Sequence, residues 1–229
     1  MFRSKRKGHV VEAEQHLISF ISGGNDIIPP RLITSIDEVD RAEKILNNHK
    51  LSGKKLAVIQ SSCSELNSIR QLSHQKLALI ADRLCDEFGL HILFPGTKSE
   101  ADEIEKIRTL MKNNSISLAG KTSVRDLIAI IRQTKIVIGP DTGTLHVANA
   151  VGVPVIMYTG WAIPEDTGPF DLSGRSKVIK ANLECIPCKY VEPKPANWEY
   201  CKINRPTLCM DKIEVDEIIE AAKNILSNC

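Results

Sequence analysis

The chain has 229 residues, with 30 Lys and Arg against 28 Asp and Glu, 42% hydrophobic residues and 25% charged ones. That apolar content excludes an intrinsically disordered chain, and 13 Gly with 11 Pro exclude a collagen-like one. A net charge of +2 lacks the dense basic face of a nucleic-acid binder, so no nucleic-acid partner is expected.

The first seven residues, Met-Phe-Arg-Ser-Lys-Arg-Lys, imitate the basic start of a signal peptide. Glu12, Glu14, Gln15 and His16 then stand where its apolar run belongs. No stretch approaches the roughly 18 consecutive apolar residues of a membrane span. The expectation is a cytoplasmic protein with at most peripheral membrane contact.

Residues 10–22 and 36–49 read as helices, separated by Gly23-Gly24-Asn25-Asp26 and Pro29-Pro30. Ser35 or Asp37 is placed to cap the second. Residues 1–50 carry too little apolar surface for a domain of their own and must pack on something else. They are expected to be a helical linker or the remnant of a preceding domain.

From Leu51 onward the pattern is regular. Strands are expected at 55–60, 90–94, 115–118, 135–138 and 153–158. Helices are expected at 73–88, ending at Gly89, and at 99–112, 123–132 and 215–226. Ser123 and Asp126 have the spacing of a capping box. Short apolar strands alternating with longer helices predict an α/β fold, a doubly wound Rossmann-like parallel sheet covered on both faces.

Ligands of such sheets bind beyond the carboxyl ends of the strands. The loops there hold the distinctive residues. Gly139-Pro140-Asp141-Thr142-Gly143-Thr144 joins the fourth strand to a helix beginning near Gly143. Free amides at a helix start, with small and hydroxyl residues beside them, suit a phosphate; an unliganded capping turn is the plainer alternative. Gly143 lets an anion approach the backbone, and the Thr142 and Thr144 hydroxyls are candidate donors. Asp141 suits a ligand hydroxyl or a helix cap. His146, considered alone, reads as a packed helix residue more readily than as a base. After the second strand, Gly96 and Glu100 occupy the loop where a carboxylate often holds ribose, although Glu100 also suits a helix start. Neither G-x-G-x-x-G nor a Walker A motif occurs, which argues against a dinucleotide dehydrogenase and a P-loop NTPase.

Of seven cysteines, Cys185, Cys188, Cys201 and Cys209 crowd one late segment rich in Pro. In a reducing compartment they read as thiols or a structural zinc site, with the wide spacing of the second pair counting against a zinc ribbon.

Three blocks resemble glycosyltransferase family 9, the heptosyltransferases. They are the D-T-G-x-x-H-x-A-x-A-x-G-x-P run from Asp141 to Pro154, the Tyr158-Thr159-Gly160 loop with Pro164 and Gly168-Pro169, and the stretch from Leu118 to Leu127. The late cysteine pattern is similar to that of many members. The resemblance covers about residues 50–229 and implies the C-terminal, donor-binding half of a GT-B architecture. It implies transfer of heptose, with inversion, from ADP-heptose to the lipopolysaccharide inner core at the inner face of the inner membrane, with no cofactor required. Asp141, Thr142, Gly143, Thr144, His146, Glu100, Gly96, Ser61, Ser62 and Arg70 would line the donor site, Arg70 standing where the family commonly has Lys. The family's acceptor-side base lies in its N-terminal half, so a missing or separate N-terminal domain would have to supply it. The alternatives are a nucleotide-sugar-binding remnant without transfer activity and a sugar-nucleotide epimerase of GT-B architecture.

Overall fold

The computed structural model describes residues 8–23, 28–62, 70–160, 162–171, 173–186 and 207–227. Six strands, β1 (Leu56–Ile59), β2 (His91–Phe94), β3 (Ser115–Ser117), β4 (Ile136–Pro140), β5 (Val155–Tyr158) and β6 (Lys177–Ile179), form one sheet. Its order is β3-β2-β1-β4-β5-β6 and every neighbouring pair is parallel. This is the doubly wound α/β sheet that the sequence predicts.

Strand side chains alternate between faces, and the core divides accordingly. Ala57, Ile59, Ile92, Phe94, Ile136, Ile138, Ile156 and Tyr158 point to one layer. That layer is filled by α3 (His74–Phe88), α4 (Ala101–Leu110) and α9 (Val215–Leu226). Leu56, Val58, Leu93, Val137, Val155 and Met157 point to the other, against α2 (Ile36–Asn48), α5 (Val124–Ile131) and α6 (Gly143–Ala150). Both faces are dry, which is why the strands read as unbroken apolar runs.

Serine caps begin three of these helices. Ser35, Ser73 and Ser123 each accept the third amide of their helix, and Glu38 and Asp126 complete capping boxes. Gly89 ends α3 in the left-handed conformation at φ 65°, its amide bonded to Cys85 O.

Helix α2, within the first fifty residues, packs on α5 through Ala42 and Leu46. Two charged pairs cross that seam. Arg125 reaches Glu38 at 2.5 and 2.8 Å, and Arg41 reaches Asp126 at 2.7 Å. Helix α1 (Val10–Ser22) is anchored at its start, where His9 Nε2 lies 3.0 Å from Gly168 O and the ring meets Phe170 at a tilt of 44°.

Several boundaries differ from the sequence reading, each for a local reason. The helix expected over 99–112 is a 3-10 turn, Lys98–Glu100, followed by α4, which stops at Leu110. The buried Asp82 carboxylate takes the amides of Lys112 and Asn113 at 2.8–3.0 Å and draws the chain out of the helix. Strand β4 runs on to Pro140, paired with Tyr158, since proline is tolerated at a strand end. Val153 and Pro154 belong to the turn before β5, with Val153 N bonded to Ala148 O. The edge strand β6 and the single turns α7 (Pro164–Thr167) and α8 (Leu208–Asp211) are additions. Lys76 holds α8 in place, its Nζ 2.6 Å from both Asp211 O and Ile213 O. No helix among the described residues is long and apolar enough to cross a membrane.

Candidate functional site

The winding reverses between β1 and β4, so their carboxyl ends border the crevice where doubly wound sheets take ligands. Gln60, Ser61 and Ser62 follow β1; Asp141, Thr142 and Gly143 follow β4; Gly96 to Glu100 follow β2. The sequence-predicted residues of these three loops therefore share one edge of the sheet.

Ser61 is only 4% exposed, and its Oγ has no hydrogen-bond partner among the described residues. Thr142 Oγ1, across the crevice on the other loop, is likewise buried and without one. Buried hydroxyls are ordinarily bonded, since desolvating one without compensation costs about 1–3 kcal/mol. Two such oxygens on the two loops of the reversal point are the clearest sign of a ligand site.

Thr142 is the N-cap of α6 but makes no side-chain cap bond, unlike the serines before α2, α3 and α5. The first amides of α6 therefore have no side-chain acceptor from their own cap. Gly143 is exposed, and a Cβ there would meet nothing within 4 Å. The space in front of the helix start is open.

Asp141 pairs with His146, whose Nε2 lies 3.1 Å from its Oδ1. His146 is exposed in the first turn of α6, so reading it as a packed helix residue is corrected: with Leu145 and Ala148 facing the core, its position on the helix faces out. Thr144 is also engaged differently from the expectation, its hydroxyl donating to Gln60 Oε1 at 2.8 Å.

Glu100 serves two partners. One carboxylate oxygen accepts from Thr97 N at 2.6 Å and Thr97 Oγ1 at 2.8 Å, closing the 3-10 turn. The other accepts from the Ser62 hydroxyl, which ties the loops after β1 and β2 together. Burial pushes the carboxyl up, but the bonds from Ser62 and Thr97 outweigh it and hold it below its ordinary value. It is a charged acceptor in a partly dry place. Gly96 packs directly beneath it, since a Cβ would lie 3.2 Å from Glu100 Oε2. Gly120, at φ 67°, closes the neighbouring loop by donating to Gly96 O at 2.9 Å. Arg70 is half-buried just ahead of the Ser73 cap of α3.

Gln60 and Thr97 are site residues that the sequence does not single out. Gln60 stands at the polar end of an apolar strand; its only signal is a large amide where the buried strand pattern would continue. The Gly160 of the Tyr158-Thr159-Gly160 loop is explained sterically, because a Cβ there would fall 2.6 Å from Cys209 Sγ. Cys185 and Cys209 are half-buried. Cys188 and Cys201 lie outside the described residues, and among the described residues no group of three or more His, Cys, Asp or Glu is gathered for a metal.

Residues 6–198 match glycosyltransferase family 9 (heptosyltransferase). Lipopolysaccharide core heptosyltransferase OpsX of Haemophilus influenzae is 30% identical over 144 residues, covering 62% of this chain and 41% of that protein. The fold is similar to that of a family 9 glycosyl transferase from Veillonella parvula, with a TM-score of 0.76 at 16% identity over 100% of this chain and 63% of that one. It is also similar to an E. coli ADP-heptose LPS heptosyltransferase II, with a TM-score of 0.69 at 19% identity over 90% and 56%. The chain thus spans less than two thirds of the length of each of these proteins. With the family model matching residues 6–198, most of its length, the chain belongs to glycosyltransferase family 9.

Proposed function

We propose that this chain is the donor-binding half, the C-terminal half of a GT-B architecture, of an inverting heptosyltransferase, and that it takes ADP-heptose for transfer to the lipopolysaccharide inner core. The observation that carries the reading is the pair of buried hydroxyls, Ser61 Oγ and Thr142 Oγ1, without a hydrogen-bond partner among the described residues, on the two loops of the reversal point, with Thr142 making no side-chain cap bond to α6. The ADP-heptose named for the E. coli enzyme of similar fold supports the choice of donor.

In this reading the diphosphate sits against the first amides of α6, with Gly143 leaving room and Thr142 and Ser61 donating to its oxygens. Arg70 offsets the charge that grows on the departing ADP, so leaving-group stabilisation needs no metal. Glu100, kept ionised by Ser62 and Thr97, accepts from ribose hydroxyls, with Gly96 packed against it. Asp141, aimed by His146, accepts from the sugar. Thr144 supports the helix start.

Both carboxylates of the site are already engaged, Glu100 by Ser62 and Thr97 and Asp141 by His146. As the family resemblance implies, the base that deprotonates the acceptor hydroxyl is assigned to a separate N-terminal domain. Residues 1–50 act as the linker toward it and 51–229 as the donor domain, working in the cytoplasm at the inner face of the inner membrane.

The orphan hydroxyls give a test with opposite signs. Ser61→Ala and Thr142→Val remove polar atoms that are desolvated for nothing in the free protein, so melting temperature stays level or rises. Each loses a bond to a charged oxygen, so ADP affinity falls about tenfold or more. Titration calorimetry with ADP reads this directly, and unchanged affinity in both variants contradicts the reading.

A further inference from the structure

Gln60 ends the run that contains β1 and is buried. Its backbone amide continues the sheet by donating to Ile138 O at 2.8 Å. Its side chain then bridges both loops of the crevice. Oε1 accepts from the Thr144 hydroxyl in the first turn of α6 at 2.8 Å, and Nε2 donates to Ser62 O at 3.1 Å. Each partner leads onward to a different part of the site. Ser62 donates to Glu100, and Thr144 follows Gly143 at the open helix start.

The packing reserves this position. A Cβ on Gly139 would lie 2.8 Å from Gln60 Cβ and 3.1 Å from Gln60 O, so only glycine in β4 lets the Gln60 side chain cross over it. Ser61 Oγ and Thr142 Oγ1, the two hydroxyls without a partner among the described residues, sit on the same two loops as the residues it joins.

We infer that Gln60 is a positioning residue for the nucleotide diphosphate, fixing the distance between the loop after β1 and the start of α6 by bonding Ser62 and Thr144 at once. A buried amide suits the task, since it offers an acceptor to one loop and a donor to the other in a fixed plane. An aliphatic side chain offers neither, and a hydroxyl offers both from a single atom instead of from two separated ones. Holding the loops apart at one spacing before the ligand arrives spares the cost of ordering them on binding. Gln60 acts through its neighbours and is assigned no contact with the reacting atoms.

The inference rests on the donor-site reading, and the experiment separates the two. ADP is titrated into the full chain as wild type, Gln60→Leu, Thr144→Val and the double variant, with melting temperatures recorded alongside. Each single variant should weaken ADP about tenfold. The double should be no weaker than the poorer single, because both remove one shared bond. Gln60→Glu keeps an acceptor for Thr144 but loses the donor and adds charge, so its ADP affinity should drop further as the carboxyl ionises. A role in stability alone would move the melting temperature and leave the affinity of the folded protein and its pH profile unchanged. Wild-type affinity in Gln60→Leu, or additive losses in the double, overturns the inference while leaving the donor site standing. Should Gln60→Leu fail to fold, Thr144→Val decides alone, and wild-type affinity in it overturns the inference. A wild-type chain that binds no ADP overturns both.

Discussion

His146 Nε2 stands 3.1 Å from Asp141 Oδ1, tying the first turn of α6 back to the residue that closes β4. Both side chains are partly exposed, 47% and 21%, so the pair contributes little to stability. Its value is orientation. His146→Ala should leave the melting temperature within a few degrees of wild type and weaken ADP-heptose about five- to tenfold, a loss of about 1 kcal/mol. Asp141→Ala should remove measurable binding, while ADP without the sugar should discriminate less between the variants. Equal losses for both ligands would take Asp141 away from the sugar.

Gly139→Ala is expected to be the costliest small substitution in the sheet. Its Cβ would meet Gln60 Cβ at 2.8 Å and Leu145 Cδ1 at 2.9 Å. Overpacking of this kind costs about 1–3 kcal/mol. Urea unfolding should show a lower midpoint with an unchanged slope.

The fold is legible in the sequence because both sheet faces are buried, which makes each strand an apolar run bounded by loops. Elements shaped by distant partners are not. Nothing near residue 111 announces that Asp82 will take the next two amides, and the edge strand Lys177–Ile179 is too short and too exposed to carry a pattern. Asp141, Gly143 and Glu100 stand out in sequence because helix starts and strand ends attract such residues. Gln60 is silent because its meaning depends on Thr144, 84 positions away. The pairing of Asp141 with His146 and the engagement of Thr144 are equally matters of rotamer, not of motif.

The seam between α2 and α5 should weaken in acid. Hydrogen bonds from Arg125 and from the Ser35 amide hold the Glu38 carboxyl at about 2, against an ordinary 4.5. A depressed carboxyl contributes stability that is present above its unfolded value and is lost as pH falls through the folded one. The melting temperature should therefore decline between about pH 4.5 and 2. In Glu38→Gln that decline should be shallower. Parallel pH profiles in the two proteins would remove Glu38 from the account.

Cys185, Cys188, Cys201 and Cys209 make a separate prediction. If they hold a structural metal, protein purified without chelator should carry about one zinc per chain, the full complement of a tetrahedral site with four thiolate ligands. Thiol counting before and after denaturation should show the four unmasked together. Four freely reactive native thiols and no metal would leave the cluster without that role.

The most direct test of the donor site is a calorimetric titration of ADP into the wild-type chain and into Gly143→Val. A Cβ at Gly143 meets nothing within 4 Å in the free protein, so the substitution should leave stability within about 1 kcal/mol of wild type. It would also set a branched side chain where the diphosphate must meet the α6 amides. The account predicts saturable binding to the wild type and none to the folded variant. Equal affinity in the two, or no binding to the wild type, would contradict it.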